Sequence, residues 1–99
     1  MSNLSYSLSV TKLRNRLPKD GVYEFKMKNV TVSDRKQGAT GFITNLETGK
    51  VAYVTTDIWA GTKEDIMVRT AKDTKDFKGG HNQYCMLDGF AELMAEVTA

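Results

Sequence analysis

The sequence is short of the residues from which most catalytic and metal sites are built. It has one cysteine, one histidine, one proline and one tryptophan in 99 residues. A single cysteine, Cys85, cannot close an internal disulfide, which fits a reducing compartment. A single histidine, His81, is the one candidate for the base of a nucleophilic triad. His81 and Cys85 lie four residues apart and would share a face on a helix. A structural zinc site normally takes four ligands and a catalytic one three, and there is no second His or Cys. The pair therefore reads as a loop histidine and a small, buried, apolar cysteine. Long apolar runs are missing too: nothing approaches the ~20 residues of a membrane-spanning helix. The opening MSNLSYSLSV has no basic stretch followed by an apolar one. No signal peptide is expected, and the protein is placed in the cytoplasm, of a host cell if it is viral.

Ligand motifs are equally scarce. Gly61-Thr62-Lys63 and Thr48-Gly49-Lys50 are fragments of a phosphate loop, but the full G-x-x-x-x-G-K-[ST] spacing is absent. Asp57, Glu64 and Asp65 flank one segment without the spacing of an EF-hand loop, and they read as surface charge. No cofactor and no metal are expected. The length accommodates one domain, residues 1–99, and leaves little volume for a deep, dry cleft. A net charge of +2 and a pI of about 8.7 are too mildly basic to indicate nucleic acid by themselves.

What is present is strand-forming sequence. Residues 41–57, GFITNLETGKVAYVTTD, carry the strongest signal. Ile, Val, Tyr, Phe and Thr dominate two arms, 42–46 and 51–56, and suit a pleated, half-buried surface. Glu47-Thr48-Gly49-Lys50 interrupts them. Gly49 tolerates positive φ, so a hairpin with a G1-type bulge is expected.

Before this hairpin, Leu4, Tyr6, Leu8 and Val10 alternate like a strand. Ser9 or Thr11 then caps a short helix with Val10, Leu13 and Leu17 inward and Lys12, Arg14 and Arg16 largely outward, stopped by Pro18. Lys19-Asp20-Gly21 makes a turn. Residues 21–33 form a long strand. Tyr23, Phe25 and Met27 share one face, while Val30 and Val32 follow the opposite phase. A bulge at Lys28-Asn29 accounts for the change; the alternative is a strand partly covered on both faces. Residues 33–41 read as a polar loop, 57–65 as a turn segment containing Trp59, 65–70 as a strand, and 71–81 as irregular. Met86, Leu87, Phe90, Leu93, Met94 and Val97 recur at helical spacing, with Asp88 as the expected N-cap.

These elements predict an α+β fold: a bent antiparallel sheet, or a small partly open β-barrel, of about four or five strands with a C-terminal helix packed on it. Tyr23, Phe25, Phe42, Tyr53, Val54, Phe90, Leu93 and Val97 are the expected core. The order bent strand, loop, hairpin, further strand is similar to that of oligonucleotide-binding barrels. The stretch PKDGVYEFKMKNV followed by the glycine-containing loop matches their first strands in outline. The likeness is topological and carries no family signature.

Charge placement supplies the functional expectation. Residues 11–36 hold eight Lys and Arg against Asp20, Glu24 and Asp34. Glu24, Lys26 and Lys28 lie on the strand face opposite Tyr23, Phe25 and Met27. Arg69, Lys72, Lys75 and Lys78 form a second basic group beside Asp73 and Asp76. Cations near aromatics suit single-stranded nucleic acid, where phosphates meet Lys or Arg and bases stack on rings. The plainer alternative is a solvated face with its aromatics in the core. The expected function is a small non-enzymatic binding module, with single-stranded nucleic acid as first partner. Its candidate contacts are Lys26, Lys28, Arg35, Lys36, Trp59, Arg69, Lys72, Lys75 and Lys78. A protein-binding module, such as a viral or prophage-type inhibitor or an assembly subunit, is the rival, and an enzyme ranks third.

Overall fold

A computed structural model describes residues 8–18, 22–33, 36–57, 65–78 and 80–99, with the side chains of 32, 33, 36, 37, 57 and 65 excepted. The fold is α+β: an open five-stranded antiparallel sheet with a C-terminal helix packed on it. The elements run α1 (Val10–Asn15), β1 (Tyr23–Ser33), β2 (Lys36–Asn45), β3 (Val51–Asp57), β4 (Asp65–Ala71), β5 (Gln83–Cys85), a 3-10 turn (Leu87–Gly89) and α2 (Phe90–Val97). Each strand pairs with the next in sequence, so β1 and β5 are the two edges. Of the two expected forms, the described residues build the open sheet: no strand pair closes it into a barrel.

Strand pairing assigns every sheet residue to a face, because directly opposed residues point the same way. Phe25 opposes Ile43, Ile43 opposes Ala52, Val54 opposes Val68, and Ile66 opposes Cys85. These residues form the face that both helices cover. Leu8, Leu13 and Leu17 from the α1 region and Phe90, Met94 and Val97 from α2 complete one buried core with Ile43, Ala52, Val54, Ile66 and Val68. Tyr23, Phe25 and Leu93 pack at its margin and are only half-buried. Tyr53, expected in the core, lies on the other face.

Local chemistry explains the helix ends. The Ser9 hydroxyl accepts from the Lys12 amide at 3.3 Å, capping α1 as expected, and Leu13 and Leu17 are buried. The Asn29 side chain also accepts from the Val10 amide at 2.8 Å, tying the start of α1 to β1. Asp88 is not the cap of α2. It lies within the 3-10 turn and pairs with Arg16 at 3.0 Å, while Gly89 occupies the N-cap position without a side-chain bond.

Three further expectations are corrected. The β1 ladder is unbroken through Lys28-Asn29, and its register shift falls between Thr31 and Ser33. The alternative of two partly covered faces holds: Val30 is half-buried on the face opposite Met27. Most of residues 33–41 is strand, since β2 begins at Lys36. The short strand β5 was not expected from sequence. The proposed first strand lies mostly outside the described residues, and Leu8 and Ser9 are not in a strand. The 19–21 turn and the Trp59 segment fall outside as well.

The central hairpin forms as expected. Gly49 has φ +77°, its amide donates to the Asn45 carbonyl at 2.7 Å, and the Asn45 amide donates to Lys50 at 2.9 Å. The Asn45 side-chain oxygen accepts from the Glu47 amide at 2.9 Å and the Thr48 amide at 3.3 Å. Its amide nitrogen donates to the Thr98 carbonyl at 3.3 Å and hydroxyl at 3.2 Å. One buried carboxamide thus links the turn to the end of α2.

Candidate nucleic-acid interface

The second face of the sheet carries no helix among the described residues. Register places Lys26 opposite Phe42, Phe42 opposite Tyr53, and Tyr53 opposite Arg69, making one row across four strands. The next rung sets Lys28 against Thr40. After β4, residues 72–78 bring Phe77 against this row. The three rings form a closed cluster, with centroids 5.3 Å apart for Phe42 and Tyr53, 5.1 Å for Phe42 and Phe77, and 5.8 Å for Tyr53 and Phe77. Their tilted and edge-on geometry is that favoured by ring quadrupoles. Phe42 is buried beneath the others, Tyr53 is half-buried, and Phe77 remains 59% exposed. The Tyr53 hydroxyl lies 3.2 Å from that of Thr40.

Beside the cluster runs an open groove of about 670 Å³, lined by Lys26, Lys28, Thr40, Phe42, Lys75 and Phe77 among others. Lys26 reaches across to the Thr74 hydroxyl at 3.5 Å. Among the described residues, Lys28 and Lys75 have no ion-pair partner. The acids of the loop cap its backbone. Asp73 accepts from the Lys75 amide at 2.8 Å, and Asp76 accepts from the amides of Lys72 at 3.0 Å and Lys78 at 3.1 Å. Glu24 lies on the same face of the sheet, one rung beyond Lys26 in β1 and opposite Thr44.

The nine residues expected from sequence therefore separate. Lys26, Lys28 and Lys75 converge on the groove. Arg69 lies in the same row, stacked on Tyr53 with its guanidinium carbon 4.7 Å from the ring centre. Lys72 and Lys78 are exposed on the loop but do not line this groove; Lys72 borders a smaller one with Lys50 and Val97. Arg35, Trp59 and the Lys36 side chain lie outside the described residues.

Phe77 was missed by sequence reasoning. Its signal was present: an isolated phenylalanine in the charged, glycine-ended stretch AKDTKDFKGGH has no apolar neighbours at strand or helix spacing.

The chain matches no family model, no curated protein and no solved structure. His81 is exposed, and Cys85 is half-buried on β5 with its thiol pKa pushed up to about 11 by burial. Among the described residues, no three of His, Cys, Asp and Glu gather as metal ligands would, and no helix is long and apolar enough to cross a membrane.

Proposed function

We propose that this protein is a non-enzymatic binding module that takes single-stranded nucleic acid on the open face of its sheet. The observation behind this reading is one groove that joins Lys26, Lys28 and Lys75 to the exposed ring of Phe77. Flexible ammonium groups suit phosphates, and an exposed ring accepts the face of any unpaired base. Duplex bases are already stacked on each other, so a ring on a sheet face engages a single strand far more readily.

Chemical-shift mapping tests the assignment. Addition of a short single-stranded oligonucleotide is expected to shift Lys26, Lys28, Thr40 and Phe77 and to leave the helix-covered face unchanged. Absence of such shifts in folded protein removes the nucleic-acid reading. The protein-binding reading then comes first. Its own observation is the exposed Tyr84 on the edge strand β5 and Met86 just after it, 66% and 46% exposed.

A further inference from the structure

Arg69 is the most heavily committed cation on the open face. It stands on β4 opposite Tyr53 of β3, with its guanidinium over the Tyr53 ring. Nη1 donates to the Asn82 side-chain oxygen at 3.3 Å, and Nη2 donates to the Phe77 carbonyl. Nε is shut away from solvent without a hydrogen-bond partner. Each terminal nitrogen thus has one of its two N–H groups committed inside the fold, and Nε, which a two-pronged Nε–Nη grip on a phosphate would need, is inaccessible.

Those contacts span eight residues to Phe77 and thirteen to Asn82. They tie the Phe77 backbone and the Asn82 side chain to one guanidinium. The Phe77 ring packs edge-on to Phe42 and Tyr53. Gly80, with φ +81°, lets the chain pass close over Thr70: an added Cβ would lie 2.4 Å from the Thr70 carbonyl oxygen.

Resting on the nucleic-acid reading of this face, we propose that Arg69 is a positioning residue that presents the Phe77 ring to a base, while the phosphate contacts belong to Lys26, Lys28 and Lys75. Its planar fork makes this possible. A lysine presents its three donors from one nitrogen and has no planar group to lie flat on the Tyr53 ring while reaching both acceptors from separate nitrogens.

The test uses Arg69→Lys, Arg69→Met, Asn82→Ala, Lys75→Ala, Phe77→Ala and the Arg69→Lys/Phe77→Ala pair. Binding of a fluorescent oligothymidylate is followed over a salt series, and ring contacts in the free protein are followed by NMR. Arg69→Lys is expected to lose the Phe77–Tyr53 ring contact and to bind ~tenfold more weakly, at the wild-type salt slope. Phe77→Ala should add little further loss in that background. Asn82→Ala should act in the same direction and less strongly; it carries the test if Arg69→Lys does not fold. Lys75→Ala should keep the ring contact and reduce the slope by about 0.7, the value for one lost phosphate contact on a single strand. Retention of the ring contact in Arg69→Lys overturns the proposal. So does additivity between Arg69 and Phe77 with a lowered slope in an Arg69→Met variant, which marks a direct phosphate contact. If the folded wild-type protein binds no oligonucleotide, the nucleic-acid reading fails, and the ring contacts alone decide whether Arg69 positions Phe77.

Discussion

Gly41 and Gly49 are both required to be glycine, for different physical reasons. Gly41 opposes Met27 in the β1–β2 ladder and has φ +152°. A Cβ there would stand 2.3 Å from the Lys26 carbonyl oxygen and 2.6 Å from the Met27 Cα, both backbone atoms that cannot swing aside. Gly41→Ala is therefore expected to cost ~3 kcal/mol or more, combining overpacking with an unfavourable φ. Gly49 has open space around its Cα, so Gly49→Val carries mainly the conformational penalty, ~1–2 kcal/mol. Urea denaturation should rank the two in that order; equal losses would contradict the close approach at Gly41. Cys85 offers a second test at this scale. Burial raises its thiol pKa from 9.0 to about 11, so the folded state favours the protonated form. Its contribution to stability is fully present below about pH 9 and is lost as pH rises towards 11. Cys85→Ala should flatten that part of the stability profile, and wild-type alkylation by iodoacetamide at neutral pH should be slower than that of a free peptide thiol.

At the level of elements, α2 is held by apolar packing and by one polar anchor. Phe90 is fully buried, and Phe90→Ala is expected to cost ~3–5 kcal/mol by calorimetry; an unchanged melting temperature would contradict the packing of the helix on the sheet. Asn45→Ala removes the acceptor for two turn amides and both donations to Thr98, an expected loss of ~2 kcal/mol in the same measurement. Legibility in the sequence follows from the range of the forces involved. The hairpin was readable because Gly49 and the alternating β-formers around it act locally. The placing of Lys26 and Lys28 opposite Phe25 and Met27 followed from the two-residue period alone. The first half of β2 was not readable. Gly38, Ala39 and Gly41 have little intrinsic strand preference, and pairing holds them, together with the Ala39 amide's 2.9 Å bond to the buried Thr56 hydroxyl. β5 has three residues, too few to show a period. Asp88 looked like a cap because nothing in its neighbourhood reveals Arg16, 72 residues earlier in the chain. The aromatic cluster failed for the same reason. Phe42 and Tyr53 adjoin the core residues Ile43 and Val54 in sequence, and nothing local to them reveals Phe77, which packs onto them from beyond β4.

In the whole molecule the two faces of one sheet differ in character. The helix-covered face supplies the core, so the other face is free to hold cations that a core would not accept. Lys28 and Lys75 border the groove without ion-pair partners among the described residues, a charge arrangement that does little for folding and suits an anionic ligand. On the proposed function, the exposed Phe77 ring would add ~1–3 kcal/mol per stacked base, and Phe77→Ala should remove that amount of binding without a comparable loss of stability. The most direct measurement is fluorescence anisotropy of a labelled single-stranded oligonucleotide titrated with wild-type protein across a salt series. Three lysine contacts predict a plot of log affinity against log salt with a slope of about −2. No binding by folded protein at low salt, or binding that does not change with salt, would contradict the account.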